Sequence, residues 1–108
     1  LDQSYFNYAT GLTMTNKKFD NLFGQKVRDS KNEKLTQFHM DIAASIQKVT
    51  EDIMIKLIKS LKKEFNISNL CLAGGVALNC VANGKILKEK KEAARKKKEQ
   101  VNKDQDNN

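Results

Sequence analysis

Asn69-Leu70-Cys71-Leu72-Ala73-Gly74-Gly75-Val76-Ala77-Leu78-Asn79-Cys80 is the stretch on which the reading of the chain turns. Leu70 to Ala73 is apolar and too short for a helix, so it reads as a buried strand. Gly74-Gly75 breaks the run, and a helical pattern resumes near Val76 or Ala77. A sharp strand-to-helix turn brings backbone N–H groups and a helix N-terminus to one point, which suits phosphate or ribose oxygens. A lone Gly-Gly pair fits a purely structural turn equally well. Asn79 adds a side-chain amide close by, able to donate and to accept.

Working backwards, the clearest periodic signal lies just upstream. Ile42, Ile46, Val49, Ile53, Leu57 and Leu61 recur at helical spacing, and Ala43, Met54 and Ile58 widen the stripe. Thr36 can cap this helix, which the spacing carries to about Phe65. Its opposite face holds Lys48, Glu51, Asp52, Lys56 and Ser60, and on this reading Glu51 and Asp52 form a solvated pair. Such a helix is roughly 42 Å long. That is more apolar surface than one short strand covers, so it is expected to pack on a larger sheet or on another domain. Helix, strand and helix in succession give an α/β order.

The start of the chain is rich in aromatic and β-branched residues, with period two at Leu12 and Met14, and reads as one or two short strands turning near Gly11. Thr15 or Asn16 caps a short helix over Lys17 to Leu22, and Gly24 stops it. Gln25 to Lys34 is a polar loop. After Gly84 the apolar positions end at Ile86 and Leu87. Residues 88–108 hold eight Lys/Arg and five Asp/Glu, which accounts for +3 of the net charge of +7. Their helix propensity suits a solvated helix, with disorder from Val101 onward.

These totals limit what the chain does. With 108 residues, 39% hydrophobic and 31% charged, it is one small domain with little room for a core. The aromatics lie far from the lysine run, which argues against a nucleic-acid reader. Cys71 and Cys80 form no CxxC pair, and His39 is the one histidine, so no zinc set is present. Both cysteines read as small buried hydrophobes of a reduced, cytoplasmic protein. No membrane-length apolar run occurs. There is no Walker-type loop and no Gly-x-Ser-x-Gly. The chain begins at Leu1, and a fragment is expected.

Leu70 to Gly84, with Tyr5-Phe6-Asn7-Tyr8, Thr10 to Asn16, Phe19 to Gly24 and Met40 to Gln47 before it in the same order, resembles the nodulation-type and antibiotic-tailoring O-carbamoyltransferases. The resemblance covers roughly residues 1–87. It implies part of an actin-like ATPase fold, with residues 88–108 as an appended tail. It implies ATP-dependent transfer of a carbamoyl group from carbamoyl phosphate, through a carbamoyl-adenylate, to a hydroxyl of a small-molecule acceptor. Gly74, Gly75 and Asn79 would then contact the adenosine of ATP. The divalent metal of the full enzyme would find no ligands here, since the family's histidine pair lies upstream. The glycine- and aspartate-containing segment expected downstream gives way to the lysine-rich tail, so the chain alone should be inactive. The competing expectation is a small basic interaction module whose tail binds an acidic partner or RNA. An exposed apolar face on the long helix would also favour self-association.

Overall fold

The computed structural model describes residues 1–107 and is helical, in the order α1 (Lys17–Phe23), α2 (Gln37–Phe65) and α3 (Cys80–Asp106). Short 3-10 turns lie at Gln3–Tyr5 and Gly75–Leu78. This overturns the expected α/β class and the actin-like fold that the resemblance implied. Among the described residues no strand forms, and the one β-type pairing is an isolated bridge between Phe6 and Thr15. The physical reason is that a strand exists only through the ladder it shares with a neighbour. Leu70–Ala73 is apolar enough for a strand but has no ladder partner among the described residues.

The chain divides into two units, residues 1–36 and residues 37–108. In the first, Asn16 caps α1 by accepting from the N–H groups of Lys18 and Phe19, at 3.0 and 3.3 Å, while its Nδ2 donates to the Ser4 carbonyl at 2.8 Å. One asparagine thus ties the bridge to the helix. Phe6, Phe19 and Phe23 pack ring against ring, with centroids 5.9 and 4.9 Å apart. Gly24 ends α1 in the left-handed conformation, at φ 71°. The expected hairpin strands collapse to this single bridge and a turn, in which Asn7 N–H reaches the Met14 carbonyl at 2.9 Å.

In the second unit α2 and α3 run side by side in the same direction. Gln47, Glu51 and Lys59 of α2 pair in that order with Asn79, Lys85 and Glu89. The connection between the helices must therefore travel back from the level of Phe65 to that of Gln47, roughly 27 Å at the helical rise. The reversal begins at Asn66, the one described non-glycine residue with positive φ, at 50°, whose N–H closes on the Lys62 carbonyl at 2.8 Å. Residues 66–78 cover that distance at roughly 2 Å per residue, well within the reach of the chain. The apolar segment lies on this return and forms no strand. Cys71 and Cys80 are both exposed, contrary to the burial expected of them, because no sheet encloses the segment.

The face that α2 turns to α3 also differs from expectation. Ile53 is 52% exposed and Leu57 59%, and Ile46, Val49 and Leu61 are likewise open. Glu51, expected in solvent, is 3% exposed. Helix α3 lies roughly 100° around α2 from the centre of the apolar stripe. It covers the edge that Met54 and Ile58 widen, both half-buried. Ala82 of α3, 1% exposed, lets the helices approach there.

Candidate functional site

The expected site residues lie on the connection and on the cap of α3. Gly74 has φ 94° and ψ 173°, a conformation essentially restricted to glycine. A Cβ at Gly74 or at Gly75 would meet no atom within 4 Å. Gly75 has no positive φ and no crowding, so nothing within the chain requires glycine at that position. The 3-10 turn Gly75–Leu78 follows, with Ala77 N–H on the Gly74 carbonyl at 3.1 Å. The first amides of such a turn have no partner within it.

The helix begins at Cys80 and not near Val76 or Ala77, so Asn79 is the N-cap residue of α3. Its Oδ1 accepts from Ala82 N–H at 3.1 Å, the usual reason for asparagine at this position. It also forms a reciprocal amide pair with Gln47 across the helix contact. Gln47 Nε2 donates to Asn79 Oδ1 at 3.1 Å, and Asn79 Nδ2 donates to Gln47 Oε1 at 2.8 Å.

Behind this pair lie residues that periodicity did not single out. Gln47 Nε2 also donates to Glu51 Oε1 at 2.9 Å, and Lys85 Nζ donates to Glu51 Oε2. These bonds, Lys85 first and Gln47 second, hold the Glu51 carboxyl below the usual glutamate range. The sequence carries one sign of this cluster, the i, i+4 spacing of Gln47 and Glu51, which places both on one helix face. Asn83, one turn after Asn79, donates to the Ala77 carbonyl at 2.7 Å. Its Oδ1 is buried without a partner. Such an orphaned acceptor carries a cost on the order of 1–3 kcal/mol.

No group of three or more His, Cys, Asp or Glu able to hold a metal occurs among the described residues. No helix among them is long and apolar enough to cross a membrane.

Comparison with known proteins defines the class. Residues 1–93 match the family described as Carbamoyltransferase N-terminus, and the chain belongs to that family. Among relatives, an uncharacterized protein of Synechocystis, sll1178, is 62% identical over 91 residues, 84% of this chain and 15% of that protein. Nodulation protein NolO of Bradyrhizobium diazoefficiens is 46% identical over 52 residues, 48% of this chain and 10% of that protein. Nodulation protein NolNO of Sinorhizobium fredii is 43% identical over 53 residues, 49% of this chain and 8% of that protein. The chain thus spans a small part of each relative's length. No solved structure matches it.

Proposed function

We propose that the chain is a segment of an ATP-dependent carbamoyltransferase and contributes the adenosine-side contacts of its nucleotide site through Gly74, Gly75 and Asn79. Membership of the carbamoyltransferase N-terminus family supports the transferase reading. The observation that carries the site is the open space at Gly75, where this chain's own packing does not call for a glycine. A ligand lying against the backbone would call for one. Gly74 opens the 3-10 turn that leads to the cap of α3, in a conformation that favours glycine. Asn79 keeps one N–H of its amide uncommitted for the ligand.

When bound, ATP supplies the activation of the carbamoyl group. The residues of this chain bind and orient the nucleoside end. They carry no general acid or base, and stabilisation of developing phosphate charge is assigned to other parts of the protein. Carbamoyl phosphate is the proposed donor and a hydroxyl of a small molecule the proposed acceptor, in the cytoplasm, with a divalent metal ligated from outside these residues.

Ligand-observed NMR with ATP on the 108-residue chain tests the binding role. ATP should bind weakly, and Gly75→Val should weaken it at least about tenfold by filling the open space, with the helical CD spectrum unchanged. Binding that ignores both Gly75→Val and Asn79→Ala would sink the assignment. Robust carbamoyl-phosphate-dependent ATP turnover by this chain alone would overturn the view that it is a binding segment only.

A further inference from the structure

We infer that Glu51 is a positioning residue for Asn79. Acting through Gln47, it holds the Asn79 amide so that its one remaining hydrogen-bonding position is an N–H donor, and the adenosine atom received there is a lone-pair acceptor. This rests on the nucleotide reading above.

Two fixed ends set the polarity of the amide pair. At one end, the backbone N–H of Ala82 can only donate, so Asn79 must turn Oδ1 toward it, at 3.1 Å. At the other, an ionised carboxylate can only accept, so Gln47 must turn its NH2 toward Glu51, at 2.9 Å. Lys85 pairs with the other carboxylate oxygen and further favours the ionised form that a glutamate already has at neutral pH. The second Gln47 Nε2 proton then faces Asn79 Oδ1, and Gln47 Oε1 faces Asn79 Nδ2. The polarities imposed from the two ends agree. Asn79 Oδ1 is filled by two donors and Nδ2 has given one of its two protons, so one N–H is left. A ligand group that itself donates finds no acceptor at Asn79. Glu51 reaches no ligand in this scheme. Its part is to hold a side chain with three rotatable torsions against competition from water.

The test uses the full 108-residue chain labelled with nitrogen-15, observing the side-chain amides of Gln47 and Asn79. In the parent chain the Asn79 Nδ2 proton bonded to Gln47 should be protected from exchange. Glu51→Leu should speed its exchange at least about tenfold, because the bond it removes is to an ionised carboxylate. The Ala82 N–H held by the cap should keep its protection. Glu51→Gln retains the shape but offers one acceptor oxygen to two donors, Lys85 and Gln47, and should speed exchange about twofold. Lys85→Met leaves the Glu51–Gln47 bond in place and should stay within about twofold of the parent. If both Glu51 variants leave that proton protected, or if Lys85→Met matches Glu51→Leu, the inference is overturned.

Added ATP should shift the other Asn79 Nδ2 proton and leave the Gln47-bonded one in place. Shifts at Gly74 and Gly75 with none at that proton would overturn the inference and spare the nucleotide reading. No shift at any of these positions would overturn the nucleotide reading, and the exchange comparison alone then decides the role of Glu51.

Discussion

The two faces of α2 contrast sharply. One is an apolar stripe from Ile46 to Leu61 that stands open to solvent. The other carries Gln47 and Glu51 and is covered by α3. An amphipathic helix normally buries the first and solvates the second. Here the contact between helices is built from an amide pair, two ion pairs and one small residue, Ala82. Periodicity shows which residues favour burial, whereas the neighbour actually present is set by how a 13-residue return can place the next helix.

Ala82→Leu should produce the largest effect, because it wedges the covered contact apart. Overpacking a site that is 1% exposed costs about 1–3 kcal/mol, read as a lower midpoint of thermal or urea unfolding. Gly74→Ala comes next, at about 1–2 kcal/mol from strain at φ 94°, with the α2 face untouched. Acid provides a third way to break the covered face. Glu51 titrates below its ordinary 4.5 in the folded chain, so its contribution is present above that pH. It is lost as pH falls through the lowered value. Stability should be flat from pH 7 to 5 and decline as pH falls below the ordinary 4.5, with a shallower decline in Glu51→Gln.

On the bare face the expectation reverses. Ile53→Lys and Leu57→Lys should each change unfolding free energy by less than about 0.5 kcal/mol, because neither side chain is covered. The same pair should reduce concentration-dependent self-association in sedimentation experiments, since an open apolar stripe favours it. A large destabilisation by Ile53→Lys would mean that the stripe is covered within this chain after all.

The helices were legible in the sequence because their signals are local. Asn16 and Gly24 bracket α1, and the apolar spacing marks α2 to Phe65. The strands were misread because apolarity and β-branching report the tendency to be stretched and buried, whereas a strand also requires a partner. Glu51 was misread because a residue at the margin of a helix face goes to whichever side the neighbour occupies. Asn79 was singled out for its amide. Its duty as N-cap and its bond to Gln47, 32 positions away, lay beyond any local pattern.

That separation has a kinetic consequence. In the first unit the bonds that hold Asn16 in place close loops of 12 residues or fewer. The pairs joining α2 to α3 close loops of 30 to 34. Closing a flexible loop of that size costs about 3 kcal/mol in chain entropy, comparable to the few polar bonds that reward it. The start of α3 therefore docks late in folding and is among the first parts of the second unit to open. Shortening or stiffening residues 66–73 would order Asn79 without touching any residue that holds it.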